Sequence, residues 1–172
     1  MKLIIKYVII DEVIKINKRR TFYMSQKLRG FELVKGETDV SLLPERSTAH
    51  SAGYDFIAAK TVSIEPGEIK LIPTNVKAYM QEGEVLYLFD RSSNPRKRGI
   101  VLSNSVGVID KDYYGNPDND GNIHAQFTNI TDETVVIEAG TAMMQGVFMP
   151  FLIADGDKAS GQRVGGFGST DK

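Results

Sequence analysis

Cysteine and tryptophan are absent from this chain, and it has only two histidines, His50 and His124. Without cysteine there is no disulfide, no thiolate zinc site and no cysteine nucleophile, which fits a reducing compartment and makes the cytoplasm the expected location. Two histidines without paired spacing do not make a histidine-rich metal site, so both read as ordinary loop or strand residues. No apolar run reaches membrane-spanning length. The nearest approach, Leu3 to Ile10, is interrupted by Lys6, closed by Asp11 and Glu12, and followed by no small-residue cleavage site, so neither a membrane helix nor a signal peptide is expected. A strong charge of one sign is also missing, since the net charge is −1. That balance hides a basic segment, residues 1–23, with Lys2, Lys6, Lys15, Lys18, Arg19 and Arg20 against Asp11 and Glu12, and a net acidic remainder. Such a body does not attract a polyanion by its overall field, so nucleic-acid binding is not expected and any phosphate must be gripped by local donors.

The chain has 172 residues, of which 41% are hydrophobic, enough for one domain with a core and too short for two. Arg19 and Arg20 can be encoded by AGGAGG, a ribosome-binding sequence, just ahead of Met24. Residues 1–23 are therefore expected to be an extension that is not translated natively, with an extra basic strand or helix as the alternative. Residues 24–158 are expected to form a β-barrel and 159–172 a C-terminal capping arm.

From Phe31 onward, short runs rich in β-branched and aromatic residues alternate with turn residues. Strands are expected at 31–34, 61–64, 69–72, 85–89, 100–102, 134–137 and 146–153. Pro44, Pro66-Gly67, Pro73, Gly83, Asn94-Pro95, Asp120-Gly121 and Gly140 punctuate them. No stretch of helical length after Gly30 shows a 3.6-residue period, and the pattern indicates an all-β jelly-roll barrel. The final residues, Gly-rich and small, cannot bury enough apolar area to order themselves. Yet they carry Arg163 and one large ring, Phe167, a combination suited to an arm that closes over something.

Three stretches carry chemistry. In Gly107-Val108-Ile109-Asp110-Lys111-Asp112-Tyr113-Tyr114-Gly115, Asp110 follows an apolar run and precedes an aromatic corner, which aims a carboxylate into a pocket at the mouth of a hairpin. A carboxylate so placed takes a proton from water, although an Asp in a turn more often serves local backbone hydrogen bonds. Asp90-Arg91-Ser92-Ser93-Asn94-Pro95 ends an apolar strand with a guanidinium fork and two hydroxyls, a phosphate cradle, or else a solvated basic turn extended by Arg96, Lys97 and Arg98. Ala52-Gly53-Tyr54-Asp55 supplies a second carboxylate. Two other patterns fail: Phe167 stands where a Walker A loop needs lysine, and Asn116 to Gly121 opens with asparagine and reaches Phe127 where a calcium loop needs glutamate.

In order, Ala-Gly-Tyr-Asp, Arg-Ser-Ser, Asn-Ser-Val-Gly-Val-Ile-Asp-Lys-Asp-Tyr, Gly-(x)4-Gln ending at Gln145, and Arg-(x)2-Gly-Phe-Gly-Ser-Thr resemble the trimeric deoxyuridine triphosphatase (dUTPase) family, of bacteriophage or prophage type, from Gly30 to Thr170. The resemblance implies a homotrimer that hydrolyses dUTP to dUMP and pyrophosphate with Mg²⁺ on the phosphate chain, each site lying between subunits and each arm capping a neighbour's site. By that pattern Asp110 activates the attacking water and meets the sugar 3′-hydroxyl, and Tyr113 stacks under the deoxyribose. Asn104 and the backbone of Gly107, Val108 and Ile109 read the uracil edge. Arg91, Ser92, Ser93 and Gln145 hold phosphates, and Asp55 places the metal through its water shell. Arg163, Ser169 and Thr170 grip the γ-phosphate while Phe167 covers the base.

The chain departs from the pattern at several points. Asp90 replaces a glycine, Asn94-Pro95 alters the end of the second motif, Ala142 stands in place of an arginine, the arm's arginine-to-phenylalanine spacing is one residue short, and Asp171 replaces a terminal glycine. Residues 116–121 look like an inserted exposed loop. Two other readings stand beside the first: a dCTP deaminase of the same fold, and a phage regulatory protein that contacts a partner protein through the insert.

Overall fold

A computed structural model of the chain describes residues 27–161, Arg163 and Gly165. The expected extension at 1–23, and the assignments to Phe167, Ser169 and Thr170, fall outside the described residues. The alternating runs form eleven strands: β1 (Gly30–Leu33), β2 (Tyr54–Ile57), β3 (Val62–Ile64), β4 (Ile69–Pro73), β5 (Val76–Tyr79), β6 (Glu84–Asp90), β7 (Ile100–Leu102), β8 (Val106–Ile109), β9 (His124–Asn129), β10 (Val135–Ile137) and β11 (Ala142–Pro150). The one α-helix among the described residues, α1 (Asn94–Lys97), is a single turn opened by Pro95, whose missing N–H costs nothing there. All strand pairs are antiparallel, and the architecture is an all-β, jelly-roll-like barrel.

The largest sheet has the order β2-β11-β6-β8; a three-stranded sheet, β4-β9-β7, and the pairs β1-β5 and β10-β3 complete the wall. Strand alternation decides what faces inward. In β9 Ala125, Phe127 and Asn129 are buried while His124, Gln126 and Thr128 are half-exposed. Phe56, Ile64, Ile72, Leu86, Ile100, Phe127, Ile137, Met143 and Met144 fill one core, each at most 1% exposed. Burying one such side chain is worth about 1.5–3 kcal/mol before the cost of ordering it. An aromatic group of Phe31, Tyr54, Phe56 and Phe148 caps one end, with Phe31 5.2–5.3 Å from each of the other three rings.

β2, β5, β8 and β9 were not among the strands expected from composition. β8 holds a glycine and β9 carries histidine, glutamine, threonine and asparagine, so neither reads as a run of strand formers. Both are made by pairing: Val106 to Ile109 lie against Phe89 to Leu86 of β6, and Ala125 to Thr128 against Ile72 to Ile69 of β4. A register shift between Ala142 and Met144 puts a bulge in β11, so that Met143 and Met144 both turn inward. Bulges re-aim the side chains beside them, and the next residue here is Gln145.

Candidate active site

Asp55, Arg91 and Gln145 meet on the β2-β11-β6 part of the large sheet. Gln145 lies opposite Asp55 on one side and Phe89 on the other. Arg91, just past the end of β6, places Nε 3.6 Å from Asp55 Oδ1 and donates through Nη1 to the Ala142 carbonyl at 3.2 Å. Ser47 Oγ donates to Asp55 Oδ2 at 2.8 Å. Gly53 is small for a reason: a Cβ there would come within 2.6 Å of Gln145 Oε1. Ser92 is exposed and Ser93 half-exposed beside Arg91, and the Ser93 side chain, although at the helix N-cap, makes no capping bond. These residues make a cationic and hydroxylic corner open to a large anion.

Two departures in this corner explain each other. Asn94, fully buried, donates through Nδ2 to Asp90 Oδ1 at 2.6 Å and to the Met143 carbonyl in the β11 bulge at 2.7 Å. Its Oδ1 accepts from Arg98 Nη1 at 2.8 Å, and Asp90 Oδ2 accepts the Leu102 N–H at 3.0 Å. Asparagine and aspartate together clamp the Arg91–Ser93 turn to β7 and β11.

A cavity of about 140 Å³ lies beneath β8, lined by Leu88, Leu102, Asn104, Gly107, Val108, Ile109, His124 and Met144. It has the scale of a single planar base, with a side-chain amide and backbone as its polar edge. Four of the residues expected to read a base therefore do line one pocket. His124, expected to be an ordinary loop or strand residue, also lines this cavity. Burial holds its pKa below the ordinary value, which keeps the ring neutral, and the ring nitrogen Nδ1 is 3.0 Å from the Asn122 carbonyl. A lone histidine opening a polar strand carries no signal of this in the sequence; only its place in the cavity wall beside Gly107, Val108 and Ile109 reveals it.

Asp110 directly follows β8 and caps the 3-10 turn Lys111–Tyr113 with extended φ and ψ of −80° and 157°. The turn it opens is not the mouth of a hairpin, because β8 pairs with β6 while the next strand, β9, pairs with β4 and β7. Its carboxylate makes no capping bond to that turn, so the ordinary structural use of an Asp at this position is not the one found. It is exposed and pairs instead with Arg163 Nη2, while Arg163 Nε donates to Asp112 Oδ1 at 2.9 Å. Burial lowers the arginine pKa, but the Asp112 and Asp110 carboxylates outweigh it and raise the pKa overall. The guanidinium carbon also lies 5.8 Å from the centre of the Tyr113 ring. Tyr113 is buried, its hydroxyl donating to the Asn122 carbonyl at 3.0 Å and accepting from Asn119 Nδ2 at 2.8 Å. Burial pushes its pKa up, so the hydroxyl stays neutral. The arm thus turns back onto its own chain at Arg163 and again at Gly165, whose carbonyl accepts from the buried Asn116 Nδ2 at 2.8 Å.

One chain does not bring all these groups together. In β6, Val85 sits level with Asp110 and Arg91 follows six residues later, a separation of roughly 20 Å at about 3.3 Å per residue. The anion corner and the general-base candidate stand at opposite ends of the same strand. Among the described residues no group of three or more His, Cys, Asp or Glu side chains gathers to bind a metal. No helix of the described residues is long and apolar enough to cross a membrane.

A jelly-roll-like β-barrel with a base-sized cavity under β8 and an arginine-glutamine corner at the end of β6 has the features of a nucleotide-binding barrel. A family model described as dUTPase matches residues 40–170. The deoxyuridine 5′-triphosphate nucleotidohydrolase of Lactococcus lactis subsp. lactis (strain IL1403) is 65% identical over 147 residues, 84% of this chain and 98% of that protein. The crystal structure of dUTPase from Streptococcus mutans matches with a TM-score of 0.73 and 66% identity over 74% of this chain and 99% of that one. The dUTPase of Staphylococcus aureus phage phi11, described with a species-specific insert, matches at TM-score 0.62 and 24% identity over 78% and 97% of the two chains, a likeness of fold alone. The chain belongs to the dUTPase family, and its activity is the hydrolysis of dUTP.

Proposed function

We propose that the chain cleaves dUTP to dUMP and pyrophosphate by in-line attack of water on the α-phosphorus, with Asp110 as general base. The observation that carries this is Asp110 itself: an exposed carboxylate with no capping bond, one residue beyond the wall of the base cavity. A carboxylate in reach of water and free of backbone duties can orient the nucleophile and accept its proton, a contribution typically of about 10²–10⁴-fold. The rest of the rate comes from positioning and charge neutralisation. Asn104 and the Gly107–Ile109 backbone hold the uracil edge in a slot with little spare volume for a methyl group. Tyr113, fixed by Asn119 and Asn122, lies under the deoxyribose. Arg91, Ser92, Ser93 and Gln145 hold phosphate oxygens.

These two halves are too far apart in one chain to grip one nucleotide, so the site is completed by a second copy. We infer a homotrimer in which the base half of one subunit faces the anion corner of another, with the arm closing the shared site. Arg163 leaves Asp110 and Asp112 for the γ-phosphate when substrate arrives, joined by Ser169 and Thr170, while Phe167 covers the base. The donor set suits Mg²⁺: this hard ion keeps several waters and needs few protein carboxylates when phosphates supply the other oxygens. Asp55, already oriented by Ser47 and Arg91, is the carboxylate that would hold its water shell. Bound there, the ion would neutralise charge on the phosphate chain. The location inferred for an enzyme that acts on dUTP is the cytoplasm, that of a bacterial host if the chain is phage-encoded.

The test is pyrophosphate release from dUTP, dTTP, dCTP, dATP, dGTP and UTP, with and without magnesium. Release confined to dUTP and dependent on magnesium is expected. Ammonia from dCTP would instead identify a deaminase. For the regulatory reading of residues 116–121 the exposed part of the loop is Pro117 and Asp118, while Asn116, Asn119 and Asp120 are buried or half-buried and bond within the chain.

A further inference from the structure

The segment 116–121 was expected to be an exposed insertion, and the structure makes it a braced one. Asp120 Oδ2 accepts from the Lys35 N–H and from Lys77 Nζ, both at 2.7 Å, which ties the loop to β5 and to the turn after β1. Gly121 has φ +82°, and a Cβ there would fall 2.5 Å from the Tyr113 carbonyl oxygen, so the loop can press against the Tyr113 turn only with glycine at this point. Asn119 accepts from the Gly121 N–H at 3.0 Å while donating to the Tyr113 hydroxyl. Asn116 is 3% exposed and uses both ends of its amide, Oδ1 accepting the Asp118 N–H at 3.0 Å and Nδ2 donating to the Gly165 carbonyl.

We propose that Asn116 is a positioning residue that seats the arm, through the Gly165 carbonyl, beside the segment bearing Asp110 and Tyr113. Gly165 lies two residues beyond Arg163, so fixing its carbonyl sets where the guanidinium hangs. The same loop holds the Tyr113 ring through Asn119, and the platform under the sugar and the seat of the arm are then one rigid piece. This inference rests on the proposed reading of the site, since it gives Arg163 and Tyr113 their use there. With the arm docked the Asn116 donor is out of water and the Gly165 carbonyl is its acceptor, so a docked arm that fails to make this bond is disfavoured.

Asn116→Asp isolates the contact. It keeps the Oδ1 that closes the local turn and replaces the donor facing Gly165 with an oxygen that repels its carbonyl. In the full chain bound to α,β-imido-dUTP, amide exchange across 159–165 should accelerate about tenfold, and KM for dUTP should rise about tenfold with kcat within about threefold. Pro117→Ala, an exposed change in the same loop, should leave both unaltered. If Asn116→Asp lowers the melting temperature by more than a few degrees, Asn116→Ser, too short to reach Gly165, supplies the same comparison. Exchange and KM equal to those of the unaltered chain in both Asn116 variants overturn the proposal. Because exchange does not depend on turnover, a chain inert toward dUTP would refute the catalytic reading without being confused with failure of the seat.

Discussion

Asn94→Ala is the substitution whose cost the structure defines most closely. The side chain is fully buried and spends its amide on three partners, Asp90, the Met143 carbonyl and Arg98. Truncation strands the Met143 carbonyl inside the β11 bulge and removes one of the two donors to the Asp90 carboxylate, while Arg98 is half-exposed and regains water. One stranded buried polar group costs about 1–3 kcal/mol and a hydrogen bond to a charged group about 1.5–3. With partial overlap the loss is about 3 kcal/mol, or roughly 10 °C in melting temperature for a domain of this size. Asp90→Gly restores the residue usual in the family at that position. It should cost less in the Asn94→Ala background than alone, with a coupling of about 1.5–3 kcal/mol in the double-mutant cycle. Thermal unfolding at one fixed protein concentration measures this, the concentration being held because assembly contributes to apparent stability. Since the clamp holds the turn bearing Arg91, Ser92 and Ser93, KM for dUTP should rise alongside. Additive effects within about 0.5 kcal/mol would refute the claim that the two departures compensate each other.

Asp110→Asn should lower kcat by about 10²–10⁴-fold while α,β-imido-dUTP still binds in calorimetry; near-normal turnover removes Asp110 as the base. Ending the chain at Lys158 should leave the melting temperature of the barrel within a few degrees and cut kcat/KM by at least about tenfold, because Arg163 and the covering residues are lost together; an unimpaired enzyme contradicts the capping arm. The tether of the 116–121 loop should fail only in acid. The Lys77 hydrogen bond, with smaller help from the Lys35 N–H, holds Asp120 below its ordinary value of 3.8, so its contribution is present above that value and lost as pH falls through the lower folded one. Asp120→Asn should accordingly shift the urea midpoint at pH 7 and shift it progressively less as the pH falls below 3.8, and a shift that stays constant across that acid range would show that the ion pair is not what holds the loop.

What the residues reveal before folding depends on whether their meaning is local. Turn residues and β-branched runs are local signals, so the all-β barrel and most of its long strands could be read from them. β8 and β9 could not: Gly107 and the polar run His124-Ala125-Gln126 become strands only because β6 and β4 offer them partners, and pairing supplies what propensity withholds. The same distinction divides the site. Asp110, Arg91 and the Asn104–Ile109 stretch announce themselves by residue type and order, and the structure puts the last of these around one cavity. His124 and Asn116 do not, because each is defined by a neighbour distant in sequence, β8 for one and Gly165 for the other. Asp90 and Asn94 carry the point further. Taken singly, each looks like a loss from a phosphate-binding turn, since a carboxylate has no place near an anion. Their hydrogen bonds turn the carboxylate inward onto Leu102 and Asn94, so its charge is spent on the fold and not on the guanidinium of Arg91, which lies beside Asp55 and the Ala142 carbonyl instead. A substitution that weakens a motif in a linear reading can therefore serve it in three dimensions, provided its partner changes with it.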